Sequence, residues 1–280
     1  MPRLTRLIVW TYLAALLAGC AAAPATAPSP TVVALASPAG SSVELTVFAA
    51  ASLTDSFTAI GRTFEATNPG TRVTFNFAGS NDLAAQIGKG APADVFASAN
   101  LAQLNALVKS GQIADGESRT FARNRLVVIV PATNPAKLTT LADLARPGLK
   151  LVLADKSVPV GQYALDFLDK ASADPSFGST YKVDVLKNVV SYEQDVKAVV
   201  SKISLGEGDA GVVYATDVTP AVADKLGKIA IPDALNTVAT YPVAAIKGSK
   251  QPALAQKFVD YLLSADGQAI LAQWGFLPPT

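Results

Sequence analysis

Residues 43–66 read VELTVFAAASLTDSFTAIGRTFEA, a strand that runs directly into a helix. The first eight residues are largely apolar and β-branched, which is typical of a buried strand. Leu53, Phe57, Ile60 and Phe64 then recur every three or four positions, which predicts a helix with one apolar face. A buried strand followed by an amphipathic helix is the repeating unit of α/β folds.

The same alternation continues along the chain. We predict further strands at 71–78, 93–99, 125–131, 150–155, 183–190, 210–215 and 241–246, and helices or helical turns at 82–90, 99–111, 141–148, 161–171, 195–208 and 253–275. The two halves share an order of elements, so we predict an α/β protein with two lobes around a cleft and a mixed, largely parallel sheet in each. Residues 43–124 and 241–280 would form one lobe, and residues 125–240 the other.

The N-terminus has the features of an export signal. Arg3 and Arg6 precede an apolar run that is shorter than a membrane-spanning helix, and the run ends in Leu-Ala-Gly-Cys at 17–20. This ending resembles a bacterial lipobox, so we expect a signal peptide at 1–19, lipidation of Cys20 and a Pro- and Ala-rich tether at 20–42. The alternative is an ordinary secretory segment with an incidental cysteine. In both cases we expect an exported protein: lipidation of Cys20 would anchor it to the outer face of the cell membrane, and otherwise it would be periplasmic.

The amino-acid composition excludes several classes of function. The chain of 280 residues has no histidine and one cysteine, which excludes Ser-His-Asp and Cys-His catalysis and the usual zinc sites. Its 23 basic and 22 acidic residues form no basic run, so we expect no nucleic-acid partner. An exported enzyme that uses paired carboxylates, such as Asp94 with Asp209, remains an alternative.

Four segments share one local pattern, in which a strand ends and a short turn opens a helix. The turns contain Ser52, Ser80, Val160 and Val196. The first N–H groups of a helix lack intrahelical acceptors and carry partial positive charge, so several such ends meeting in one cleft could bind an anion without Lys or Arg. Taken alone, each residue has an ordinary structural explanation, such as a helix cap.

From about Glu44 to Phe276 the sequence resembles the molybdate-binding proteins of bacterial ABC importers, which have the type II periplasmic-binding fold. The strings that carry the resemblance occur in the family's order. They are LTVFAAASLTDSF, FAGSNDLAAQI, GAPADVFASA, RLVVIVP, SVPVGQYA, EQDVKAVV, AGVVYATD, YPVAAI and FVDYLLSADGQAILAQWGF.

The resemblance implies a hinged clamshell that holds molybdate or tungstate between its lobes. It assigns oxyanion binding to five residues, through the hydroxyls of two serines and a tyrosine and through backbone N–H groups: Ser52, Ser80, Val160, Val196 and Tyr214. It also implies an ABC permease and its ATPase as partners, a monomeric protein, no cofactor, no directly coordinated metal ion and no enzymatic activity.

Two positions depart from the family's pattern, and two other functions stay open. Gly79 replaces a common serine, and Val160 is larger than the usual residue. Asp195 would repel a dianion, so we expect its side chain to point away, as a helix cap. A sulfate-binding protein and a lipid-anchored sensory module without a bound ion remain alternatives.

Overall fold

The computed structural model describes residues 42–280, which contain two five-stranded sheets. The first sheet forms the base of the first lobe. In spatial order its strands are β2 (Thr71–Ala78), β1 (Val43–Ala50), β3 (Val95–Ala97), β10 (Ala239–Ala245) and β4 (Arg119–Asn124).

The second sheet forms the base of the second lobe and has the same design. In spatial order its strands are β7 (Val189–Glu193), β6 (Leu151–Ala154), β8 (Ala210–Tyr214), β5 (Leu126–Pro131) and β9 (Leu226–Ala230).

One strand in each sheet runs against the other four. These strands are β10 in the first sheet and β5 in the second, and each pairs antiparallel with both neighbours. The predicted mixed, largely parallel sheets are therefore confirmed. The chain passes from the first sheet to the second at Arg125, between β4 and β5, and returns between Ala230 and Ala239. The lobe boundaries given above stay predictions, and the signal peptide, Cys20 and all but the last residue of the tether lie outside the described residues.

Helices cover both sheets. In the first lobe they are α1 (Thr54–Thr67), α2 (Ser80–Gly88), α3 (Leu101–Lys109), α7 (Pro252–Leu263) and α8 (Ala265–Gln273). In the second lobe they are α4 (Pro159–Ala173), α5 (Tyr181–Lys187) and α6 (Val196–Ser204). Within residues 42–280, none of these helices has the length and apolar character needed to cross a membrane.

Aromatic packing fixes α1 against the first sheet. Phe57, Ile60 and Phe64 are fully buried, as their helical spacing predicted. The ring of Phe57 lies 5.6 Å from that of Phe121 in β4 and 6.1 Å from that of Phe258 in α7. Burying a large apolar side chain contributes about 1.5–3 kcal/mol, so this cluster holds the N-terminus of α1 in place.

The strand predicted at 183–190 is wrong. Its first half belongs to α5, and only its end is extended, in β7. Tyr181 and Val185 lie one helical turn apart and are both buried, and the Tyr181 hydroxyl donates to the carbonyl oxygen of Leu141. This tertiary packing overrides the strand preference of the β-branched residues.

Candidate functional site

A small pocket with a cavity volume of about 10 Å³ lies between the two lobes. This volume is far below the roughly 300–1,000 Å³ of pockets that hold drug-sized molecules, so the pocket suits only a small ligand such as an ion. All five residues named from the sequence line it: Ser52, Ser80, Val160, Val196 and Tyr214.

Strand register explains why these turns meet. Ala50 at the end of β1 pairs with Ala78 at the end of β2, so the turns that carry Ser52 and Ser80 lie side by side. In the second sheet Ala154 pairs with Glu193, which brings together the turns that lead to α4 and α6. The carboxyl edges of both sheets therefore face the pocket, which is where α/β sheets bind ligands.

Three helices begin at the pocket. Ser80 and Val196 are the first residues of α2 and α6, and Val160 is the second residue of α4. No side chain within residues 42–280 caps the N-terminus of α2 or α4, so their first N–H groups are free to bind a ligand. In the described part of the chain no Lys or Arg lines the pocket, so the positive potential there comes from the helix ends.

A chain of buried hydroxyl and amide groups orients Ser52. Its Oγ is hydrogen-bonded to the Tyr241 Oη at 3.0 Å, and the Asn124 amide donates to the same Tyr241 Oη at 3.4 Å. The Tyr241 hydroxyl is neutral because burial raises its pKa well above its usual range. Either hydroxyl can be the donor in this bond, and when Tyr241 donates, the Ser52 proton is left to point into the pocket. Sequence reasoning missed Asn124 and Tyr241, because no local pattern relates them to Ser52.

The hydroxyl of Ser80 is also held by a hydrogen bond from within the protein. Its Oγ accepts a hydrogen bond from the backbone N–H of Ala99 at 3.1 Å, and the residue is almost fully buried. A serine hydroxyl that accepts one bond still has its proton to donate. Ser80 therefore offers the pocket a donor as well.

Tyr214 presents the most direct sign of a missing partner. Its hydroxyl is buried and has no hydrogen-bond partner among the described residues. Burial, with further contributions from Tyr241, Tyr163 and Asp217, holds the pKa of the Tyr214 hydroxyl well above its usual range, so it remains a neutral donor. A buried polar group without a partner costs about 1–3 kcal/mol, which a bound acceptor would recover.

Asp195 lines the pocket, and one oxygen of its carboxylate is used to cap the neighbouring helix. The Oδ1 atom accepts a hydrogen bond from the backbone N–H of Ala198 at 3.0 Å, which caps α6. The predicted capping role is thus confirmed.

Two glycines let backbone segments approach closely at the rim. A Cβ atom on Gly161 would lie 2.1 Å from the carbonyl oxygen of Asp155, so only glycine allows α4 to begin where it does. A Cβ atom on Gly79 would lie 2.5 Å from the carbonyl oxygen of Gln194, which belongs to the opposite lobe. Glycine in place of the family's common serine at position 79 therefore lets the two lobes approach more closely, besides removing a hydroxyl.

The paired carboxylates of the enzyme hypothesis do not reach this pocket. Asp94 accepts hydrogen bonds from the Thr46 N–H and the Ser249 hydroxyl, and Asp209 accepts one from the Lys150 N–H. Each carboxylate thus braces the backbone of its own lobe. No group of three acidic, His or Cys side chains within residues 42–280 is arranged to hold a metal ion.

Comparison with known proteins assigns the chain to a family. The family described as bacterial extracellular solute-binding protein matches residues 45–277. This chain belongs to that family. The Molybdate-binding protein ModA of Mycobacterium tuberculosis H37Rv is 40% identical over 275 residues, which cover 98% of this chain and 97% of that protein. The resemblance inferred from the motifs is therefore confirmed.

Solved structures of solute-binding proteins share the fold. The periplasmic molybdate-binding protein of Azotobacter vinelandii superposes with a TM-score of 0.73 at 20% identity, covering 84% of this chain and 100% of that one. The sulfate-binding protein SubI of Mycobacterium tuberculosis H37Rv gives 0.74 at 20% identity, with 84% and 87% covered. At this identity the likeness concerns the fold alone, and it confirms the two-lobed architecture.

Proposed function

We propose that this protein binds a tetrahedral oxyanion, molybdate or tungstate, in the pocket between its lobes and delivers it to an ABC importer. The observation that carries the proposal is the unpaired, buried hydroxyl of Tyr214, which faces a pocket where helix N-termini from both lobes meet. The 40% sequence identity to a molybdate-binding protein, over nearly the whole chain, supports molybdate as the ion.

The chemistry of the pocket suits a fully deprotonated dianion. The hydroxyls of Ser52, Ser80 and Tyr214 and the backbone N–H groups of Val160 and Val196 are all donors. An anion with four acceptor oxygens can take every one of these bonds. A protonated phosphate would also need an acceptor, and the only carboxylate among the residues described around the pocket is that of Asp195, which uses Oδ1 to cap α6.

Closure follows from the placement of the donors on two lobes. The first lobe supplies the serines, and the second lobe supplies both valine N–H groups and the tyrosine. An oxyanion that accepts from both lobes at once binds the closed form more tightly, and it shifts the population toward that form by this difference in affinity. We propose that the permease, with its ATPase, receives the ion from the closed form.

The remaining assignments extend the family membership. We propose that the protein acts as a monomer without enzymatic activity, cofactor or nucleic-acid partner, and that a lipid on Cys20 anchors it to the outer face of the membrane. Sulfate is the second candidate ligand, because the sulfate-binding SubI has a fold of equal similarity.

A pair of tyrosine substitutions tests the site. Tyr214→Phe removes a hydroxyl that lacks a partner, so it should leave the stability of the unliganded protein unchanged or higher. It should weaken molybdate binding about 10- to 100-fold, the value of a hydrogen bond to a charged group. The matched control is Tyr181→Phe, which loses the bond to Leu141 in the second lobe. It should lower stability by about 1 kcal/mol and leave the affinity unchanged.

Thermal unfolding of the full chain with molybdate, tungstate, sulfate and phosphate provides the readout. An ion at one hundred times its dissociation constant should stabilise the protein by about 2.7 kcal/mol. Large shifts with molybdate and tungstate alone support the proposal. A preference for sulfate would keep the site and replace the ligand. No shift with any of the four ions would contradict the proposal and favour a sensory or enzymatic function.

A further inference from the structure

We propose that Asp55, Lys197 and Asp217 form an ionic latch that holds the lobes closed over the bound oxyanion, and that Asp217 takes up a proton when the dianion binds. This inference rests on the proposed function. It identifies side chains that touch no ligand but position the groups that do.

The latch joins the two lobes. The Lys197 ammonium in α6 lies 2.7 Å from Asp55 Oδ2 in α1, and these residues are 142 positions apart in the chain. On its other side the same ammonium lies 3.9 Å from Asp217 Oδ1. Among the ion pairs within residues 42–280, the pair of Asp55 with Lys197 alone connects one lobe to the other.

Each residue of the latch lies close in the chain to a residue that is proposed to bind the oxyanion. Asp55 follows Ser52 by one helical turn, and Lys197 directly follows Val196. Asp217 Oδ2 accepts a hydrogen bond at 3.1 Å from the backbone N–H of Tyr214. Because these segments are short and ordered, separating Asp55 from Lys197 would also separate the donors of the two lobes.

Asp217 makes the latch sensitive to charge. Its side chain is fully buried, and Oδ1 has no hydrogen-bond partner within the described residues. The ammonium of Lys197 is therefore the main group that offsets the negative charge of the Asp217 carboxylate. Burial raises the pKa of Asp217 to about 7, and Lys197 acts in the opposite direction. The charged and titratable groups that face Asp217 come from four elements: Lys197 in α6 with Asp195 at its N-cap, Asp55 in α1, and the neutral tyrosines Tyr214 in β8 and Tyr241 in β10.

Binding of the dianion and protonation of Asp217 favour each other. A dianion in the adjacent pocket repels the Asp217 carboxylate and raises its pKa further, so binding near neutral pH takes up a proton. The affinity should therefore be constant in mildly acidic solution and fall as the pH rises above about 7. With the carboxyl protonated, Asp55 and Lys197 form a neutral pair beside the anion.

Four variants separate the two parts of the proposal, with molybdate as the probe in isothermal titration calorimetry. Asp55→Asn breaks the bond between the lobes and should weaken binding about three- to tenfold while the pH dependence persists. Asp217→Asn should abolish the pH dependence and bind more tightly than the wild type at about pH 8.5. Lys197→Met should weaken binding and move the loss of affinity to higher pH, because the ammonium that lowers the pKa of Asp217 is gone, whereas Lys197→Arg should restore the affinity and the original pH dependence.

Controls distinguish this inference from the proposed function. Lys182→Met breaks an ion pair with Asp169 inside the second lobe, so it should bind as the wild type does. Titrations in two buffers of different ionisation enthalpy measure proton uptake directly. If the wild type binds molybdate with no proton uptake and Asp55→Asn binds normally, the latch is refuted and the site stands. If the wild type does not bind molybdate, the proposed function fails, and the latch fails with it.

Discussion

Gly79 and the carbonyl oxygen of Gln194 meet across the cleft, so closely that a Cβ atom on Gly79 would lie 2.5 Å from that oxygen. The backbone of Gly79 has φ −57° and ψ 135°, a conformation that any residue can adopt. Space, and not backbone strain, therefore demands glycine here. The contact sets how far the first lobe can close on the second.

Gly79→Ala should hold the lobes apart. We expect molybdate affinity to fall at least about tenfold, because the donors of the two lobes no longer reach the ion together. Unfolding in the absence of ligand should change little, since the unliganded protein can open. Gly88→Ala is the control, because a Cβ atom there meets open space. Equal affinity for Gly79→Ala and the wild type would show that the contact does not limit closure.

Tyr241→Phe tests the orientation of Ser52. The variant removes the hydroxyl that is bonded to Ser52, so the serine side chain loses the bond that orients it at the pocket. We expect molybdate affinity to fall about three- to tenfold, with a loss of about 1 kcal/mol in stability because Asn124 also loses an acceptor. Titration of Tyr241→Phe, Ser52→Ala and the double variant should reveal non-additive losses. Simple additivity would mean that Tyr241 acts independently of Ser52.

Gly161→Ala tests the start of α4. The added Cβ atom would lie 2.1 Å from the carbonyl oxygen of Asp155, so the turn must shift and the N–H of Val160 moves with it. We expect about 1–3 kcal/mol of destabilisation, together with weaker molybdate binding. Chemical denaturation and titration of the same preparation measure both effects. Unchanged stability and affinity would contradict the tight turn seen here.

Asp217→Asn should stabilise the unliganded protein in alkaline solution. The pKa of Asp217 rises from 3.8 to about 7 on folding, so the folded state binds more protons than the unfolded state across this range. The contribution of Asp217 to stability is thus lost as the pH rises through this window. At about pH 8 the variant should be more stable by up to about 4 kcal/mol, and near pH 4 the difference should vanish. Denaturation curves at both pH values provide the check, and an equal effect at both would contradict a raised pKa.

Periodicity in the sequence predicted most of the fold. The alternation of buried strands and amphipathic helices led to two α/β lobes, and the spacing of Phe57, Ile60 and Phe64 marked the buried face of α1. One segment was predicted wrongly and one strand was not predicted, and both have a physical cause. The β-branched run around Val185 is held as a helix by tertiary contacts, and the polar edge strand β4 has no apolar pattern to reveal it.

The candidate site was only partly visible in the sequence. Strand-to-helix turns around Ser52, Ser80, Val160 and Val196 indicated where donors could gather, and family resemblance assigned them to oxyanion binding and added Tyr214. The bonds of Ser52 with Tyr241 and of Asp55 with Lys197 span 189 and 142 positions, and no local pattern encodes such pairings. They emerge only when the lobes are assembled.

A crystal structure of the protein grown with molybdate, with anomalous data collected at the molybdenum edge, tests the central claim most directly. We predict one strong anomalous peak between the lobes. Its oxygens should lie within hydrogen-bond distance of the hydroxyls of Ser52, Ser80 and Tyr214 and of the backbone N–H groups of Val160 and Val196. A peak bound elsewhere, or an empty pocket at saturating molybdate, would contradict the account.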